Sequence, residues 1–213
     1  MNLRNIYDVS LLLNKDVVTY PGDPVCDIQE YSSIKKGNVV NNSNIKMGSH
    51  TGTHVDAPKH FFDNGITIEK LSLDYLIGEA KVFEILGEKV ITKKLIEKYD
   101  IQKNDIVLFK TDNSEFLESS DFHIDFTYFD LSAVEYLKNI GVKTVGCDYL
   151  SIEQFKTPRH VAHETLLGAN IVIIEGLLLK GIKPGKYFLS ALPLKIQNGN
   201  GSPVRAVLIE TQE

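Results

Sequence analysis

Apolar positions along this chain come in short β-branched runs separated by polar turns. Val142 to Cys147 and Ile171 to Gly176 are the densest runs, and their composition predicts buried strands. Tyr7 to Leu13, Lys81 to Leu86, Asp105 to Lys110, Tyr187 to Leu194 and Pro203 to Ile209 read as further strands. Helical spacing is rarer. Leu131 to Asn139 carries it, with Gly141 just past its end as a terminator. Thr92 to Tyr99 predicts a second helix with Thr92 as N-cap, and His160 to Leu167 a third between two apolar runs. Thr19-Tyr20-Pro21-Gly22-Asp23-Pro24 is a turn, because two prolines fix φ and a glycine is free to take positive φ. Ile34 to Met47 holds a Lys-Gly-Asn turn and a more polar extended run.

Strands outnumber helices, and several neighbouring strands leave no room for a crossover helix. The pattern predicts a mixed α/β fold with a β-rich sheet curling toward a barrel, flanked by helices, and not a doubly wound sheet. With no repeat, low-complexity tract or linker, residues 1–213 read as a single domain.

Charge and composition narrow the function. The formal net charge is −5 with both signs interspersed, which speaks for a soluble surface and against a nucleic-acid partner. No apolar run approaches the ~20 residues that span a bilayer, so no membrane partner is expected. Residues 1–8 are too polar for a signal peptide, and Cys26 and Cys147, the two cysteines, suggest neither a disulfide framework nor a metal pair. A reducing, cytoplasmic setting fits these features.

The chemistry concentrates in Ser49-His50-Thr51-Gly52-Thr53-His54-Val55-Asp56-Ala57-Pro58-Lys59-His60, where three of the six histidines fall within eleven residues. On an extended backbone His50, His54 and Asp56 share parity and can project from one face. Two imidazoles and a carboxylate suit zinc, manganese or iron. Gly52 lets backbone pack close to such a site, and Pro58 turns the chain so that His60 swings back toward it. Glu175 ends the apolar run Ile171 to Ile174, and a carboxylate entering a core there is costly unless it is paired or bound to a cation.

The pattern His-x-Gly-Thr-His-x-Asp-x-Pro-x-His at His50 through His60 resembles the signature of the cyclase-like metal hydrolases, which include bacterial kynurenine formamidases. The resemblance extends to Tyr20-Pro21-Gly22-Asp23, to Gly146 through Ser151, to His163 through Leu167 with Glu175-Gly176-Leu177, and to Leu192 through Lys195 with Gly201 through Arg205. It implies a swivelling β/β/α-like fold and a role for each matching residue. His50 and His54 would bind one divalent ion, His163 a second, and Asp56 and Glu175 would bridge the two. His60 would be the general acid/base, and Tyr20 would contact substrate. Zinc is the expected metal, with manganese as the alternative, and a homodimer or homotetramer is the expected assembly.

The reaction implied is hydrolysis of a small-molecule amide by metal-activated water. The example is an aryl formamide such as N-formylkynurenine, a step of tryptophan catabolism. Kynurenine formamidases carry Trp where this chain has Tyr20, and isatin hydrolases belong to the same family, so a cyclic amide or other acyl substrate is the alternative. A catalytically silent binding protein is the rival from another class, and retention of His60 argues against it. Of the remaining candidates, His160 competes with His163 but reads as a surface or supporting residue. His123 reads as a solvated loop residue and Cys147 as a small buried apolar one. Asp148 could orient a ligand or cap a turn with Ser151.

Overall fold

The computed structural model describes residues 5–210. Its strands are β1 (Ile6–Asp8), β2 (Asp27–Ser32), β3 (Asn42–Lys46), β4 (His54–Asp56), β5 (Ile77–Glu84), β6 (Val90–Ile91), β7 (Ile106–Lys110), β8 (Tyr128–Phe129), β9 (Thr144–Cys147), β10 (Val172–Glu175), β11 (Gly185–Ser190), β12 (Gly201–Pro203) and β13 (Val207–Ile209). Its helices are α1 (Lys93–Ile96), α2 (Asn113–Phe116), α3 (Leu131–Ile140) and α4 (Val161–Gly168).

Nine strands form one sheet in the order β1-β13-β11-β5-β7-β9-β10-β4-β12. Its centre, β5-β7-β9-β10, is parallel, and the strands outside it pair antiparallel. Such a centre must be covered on both faces, and alternate residues of its strands do enter two separate cores. Ile106, Leu108, Val172 and Ile174 join Val55, Leu189 and Leu208 on one face. Val107, Phe109, Val145 and Ile173 meet α3 and α4 through Val134, Leu137, Ala162 and Leu166 on the other.

The sheet curls into a half-barrel, as its sequence pattern predicted. Chain connectivity shows how far it curls. β12 lies at one end of the strand order and β13 next to the other, yet only residues 204–206 separate them in sequence. Four residue steps reach at most ~14 Å, so the two ends of the order approach each other. Hydrogen bonds bridge the gap: Val204 N donates to Thr53 O beside β4, and Val9 N donates to Ala206 O beside β1.

The predicted strands are found with shifted bounds. Tyr7 to Leu13 pairs in the sheet only over β1, and the stretch predicted as one strand from Pro203 to Ile209 is divided between β12 and β13. The expectation of an N-cap at Thr92 is met in position but not in bonding: the Thr92 side chain makes no capping bond, and Ser132 Oγ accepts from Lys93 N instead. Asp130, which the hydrophobic pattern did not single out, does cap α3, accepting from Ala133 N at 2.9 Å, and Gly141 closes that helix at φ 81°. β2 and β3 form a ribbon outside the main sheet. Among the described residues, no helix is long and apolar enough to cross a membrane.

Candidate metal centre

The strand register assembles the first part of the site. β4 runs antiparallel to β10 with His54 opposite Glu175 and Asp56 opposite Ile173. Residues two apart on a strand share a face, so His54, Asp56 and Glu175 all project to the α4 side of the sheet, and α4 supplies His163. These four side chains are at most 5% exposed.

Their polar atoms are arranged in two halves. Asp56 Oδ1 and Glu175 Oε2 lie 3.5 Å and 3.4 Å from His54 Nε2. Asp56 Oδ2 and Glu175 Oε1 lie 3.7 Å and 3.2 Å from His163 Nε2. Each carboxylate therefore gives one oxygen to each imidazole. His50 Nδ1 adds a contact of 2.7 Å to Asp56 Oδ1. Gly201 makes room for His50, because a Cβ there would stand 2.5 Å from its ring. The far nitrogen of His54, Nδ1, faces Gly52 O at 2.9 Å, which leaves Nε2 for the carboxylates.

His60 leaves the strand through the turn that Pro58 starts, with its N–H donating to Ala57 O, and its ring stacks on His50 at 3.9 Å. It keeps an edge exposed to a cavity of about 270 Å³ that Tyr20, Asp23, Phe61, Leu150, Ser151 and His160 also line. Tyr20 stands edge-on to Phe122 and Phe155 at 5.2 Å and 5.8 Å, so the cavity has an aromatic wall.

The electrostatics of the cluster call for positive charge. Burial alone would keep the His54 imidazole neutral, but Glu175 and Asp56 push its pKa up to about 9. Burial is likewise overcome at His163, which Glu153, Glu175 and Asp56 push up to about 10. Against burial, the imidazoles around Asp56 and Glu175 hold both carboxyls below the usual range. His60 behaves oppositely: burial, helped by His50 and His163, lowers it to about 4 against the pull of Asp56, so it is neutral at pH 7.

The residues fit a divalent cation. Buried His50 Nε2 and Asp56 Oδ2 have no hydrogen-bond partner on the protein, an expensive state that an ion would relieve. Ligating atoms of His54, Asp56 and Glu175 lie within 4.8 Å of one another, as do those of His50, Asp56 and His60. Mixed imidazole and carboxylate donors suit a borderline divalent ion.

All seven residues singled out from sequence thus lie in or around one cavity. His160 sits exposed at its rim, edge-on to Phe61. Asp148 is fully buried and does neither thing expected of it: it accepts from the backbone N–H and hydroxyl of both Thr111 and Ser114, tying the end of β7 to α2. Ser151 Oγ accepts from Glu153 N. Cys147 is buried, and burial pushes its thiol pKa well up, which suits an inert packing residue. His123 is exposed and stacks on Phe116 at 4.2 Å. The sequence reading gave no role to Glu153, Phe61, Phe122 or Phe155, and it carried Gly201 only as part of the resemblance, without the close approach to His50. Phe61, stacked on the His163 ring at 4.7 Å, was within reach of it, since it follows His60 directly.

Comparison with known proteins places this geometry. Residues 7–154 match the family described as "Putative cyclase". A kynurenine formamidase of Geobacillus thermodenitrificans is 34% identical over 201 residues, covering 94% of this chain and 95% of that protein. A solved "predicted metal-dependent hydrolase" of Bacillus stearothermophilus superposes with a TM-score of 0.85 at 36% identity, covering 97% and 98% of the two chains. Isatin hydrolase A of Ralstonia solanacearum shares the fold, with a TM-score of 0.86 at 22% identity over 97% of this chain and 92% of its own. The buried carboxylate pair, the imidazoles on either side of it and these matches lead to one conclusion: the chain belongs to the cyclase family of metal-dependent hydrolases.

Proposed function

We propose that this protein hydrolyses the amide bond of an aryl formamide, with N-formylkynurenine as the first candidate. The observation that carries the reading is the divided pairing of Asp56 and Glu175, one oxygen of each toward His54 and one toward His163. Asp56 and Glu175 would hold divalent metal together with His50 and His54 on one side and His163 on the other. Zinc is the first choice and manganese the second. Ions held there supply Lewis-acid polarisation of a carbonyl and a water of lowered pKa. The chain's own residues do the rest. His60, neutral at pH 7 and open to the cavity, takes the proton given up by the attacking water and passes it to the leaving nitrogen as the C–N bond breaks. Tyr20, braced by Phe122 and Phe155, and Phe61 form apolar walls that orient an aromatic ring and displace water. The 34% identity with a kynurenine formamidase supports the same substrate class.

The test is turnover of N-formylkynurenine, isatin and simple aryl esters, before and after chelation and with zinc or manganese restored. Preference for the formamide, lost on chelation, is expected. Full activity after exhaustive chelation would exclude the mechanism, and preference for isatin would move the assignment to cyclic amides. Tyr20→Trp should shift preference among aromatic amides without changing metal content. Identical kinetics across the panel would remove Tyr20 from the substrate contacts.

We also propose a homo-oligomer. Ile28, Tyr31 and Ile45 of the β2–β3 ribbon are 45%, 64% and 61% exposed, and a two-stranded ribbon bare on both faces is marginal in water. A second copy of the chain covering it would account for these side chains. Light scattering at micromolar concentration should report more than one chain, and a monomer would overturn the assembly.

A further inference from the structure

Glu153 is a buried carboxylate that the mechanism above does not use, and its only ionic partner among the described residues is His163. It lies in the segment between β9 and α4, 4% exposed, with Oε2 3.1 Å from His163 Nδ1. The same oxygen accepts from the backbone N–H groups of Ala162 and His163 at 3.0 Å and 3.2 Å. These N–H groups belong to the first turn of α4, whose N-cap residue, His160, makes no side-chain cap. Glu153 thus takes the place of the missing cap and holds the imidazole ring from behind.

We propose that Glu153 is a positioning residue for the metal centre, fixing the tautomer and the direction of His163. This rests on the reading of His163 as a ligand. A neutral imidazole, the form that binds a metal ion, presents its lone pair at Nε2 when its Nδ1–H donates to a carboxylate. Here Nε2 points between Glu175 Oε1 and Asp56 Oδ2, two acceptors that cannot donate to it. A cation among these three atoms satisfies all of them. The neighbouring backbone serves the same half of the site, because Ile152 N donates to Glu175 Oε1 at 2.7 Å. The segment before α4 therefore holds both Glu175 and His163. On the other side of the carboxylate pair the corresponding support is a backbone carbonyl, Gly52 O behind His54. A carboxylate behind an imidazole makes it a stronger donor than a neutral carbonyl does, so the two halves of the site are not equivalent.

Zinc affinity, measured by competition with a chromophoric chelator, tests this. In Glu153→Gln the amide oxygen can still accept from α4, so the metal-free protein keeps its helix cap and gives up only the ionic contact with His163. The ion on the His163 side should bind roughly 10- to 100-fold more weakly, while the ion on the His54 side holds its affinity. Glu153→Ala should lose the same affinity and also melt lower without metal, since the cap is gone. In the zinc-loaded wild type, two-bond nitrogen NMR should show the His163 proton on Nδ1, a readout that needs no variant. Two unchanged affinities in Glu153→Gln, or a His163 proton on Nε2, would overturn the proposal. His163→Ala separates it from the reading beneath it. If that variant keeps both ions, His163 is no ligand and the site assignment itself falls.

Discussion

His54 and His60 are six residues apart in one motif, yet their surroundings give them opposite character. His54 is enclosed with two carboxylates near Nε2 and retains positive charge, whereas His60 sheds it through burial, helped by the imidazole it stacks on. His60→Ala should therefore keep most of the bound metal while kcat falls about 100- to 10,000-fold, the usual contribution of an acid–base group. His54→Ala should lose metal and activity together, and it should melt lower than His60→Ala because stabilisation by the ion is lost. Metal content and calorimetry of the two proteins check this. Equal metal loss would make His60 a ligand, which its position within 4.8 Å of His50 and Asp56 donor atoms allows, and the proton-transfer role would pass to His160.

At the scale of elements, the site depends on how closely two chain turns can approach. Gly176, just after β10, has φ 70°, and a Cβ there would stand 2.5 Å from Gly52 O. Gly52, at φ 67°, is itself held against Leu13. That approach sets the register of β4 against β10 and so puts His54 opposite Glu175. Gly181 is a natural control: its φ is 77°, but open space surrounds its Cβ position. Gly181→Ala should cost about 1 kcal/mol, the strain of a left-handed residue alone. Gly176→Ala should cost more, roughly 3 kcal/mol or above, because backbone must also move, and it should weaken metal binding. Urea unfolding and metal titration of both variants check this, and equal losses would show that the contact with Gly52 is not tight.

At the scale of the whole molecule, the buried cluster couples folding to pH. The pKa of His54 rises from 6.5 to about 9 and that of His163 from 6.5 to about 10. Raised values stabilise the fold fully below the unfolded value, and this contribution disappears as pH climbs through the folded one. His60, lowered from 6.5 to about 4, contributes above 6.5 and fades as pH falls toward 4. Asp56 and Glu175, both lowered, lose their contribution at still more acid pH. Metal-free protein should therefore be most stable near pH 6.5 and decline toward pH 10. Metal-loaded protein should not show that alkaline decline, because the ions take the place of protons on His54 and His163. Urea midpoints at pH 6, 8 and 10, with and without chelator, decide it, and a midpoint that rises with pH in the metal-free protein would contradict the charge distribution described here.

The sequence by itself determined the elements whose cause is local. Runs such as Val142 to Cys147 are strands because β-branched residues fill a pleated surface, and Gly141 ends α3 because a residue without Cβ enters the left-handed region freely. The pairing of His54 with Asp56 was legible because parity along a strand is a property of the backbone alone, and Pro58 marked the turn that returns His60. His50 does not share that strand, contrary to the extended reading: it lies in a turn before β4, and the chain bends at Gly52, φ 67°, to bring it back to Asp56. The tertiary structure decided what depends on partners distant in sequence. Asp148 could not be assigned from its neighbours, since the groups that bind it are at Thr111 and Ser114. Glu153 carried no sequence signal, because what it does is defined by a helix that begins eight residues later and by one imidazole on it. The division of Pro203 to Ile209 between two ends of the sheet was hidden for the same reason: periodicity records which face a residue turns to the core, while the curl of the sheet decides which strand it meets there.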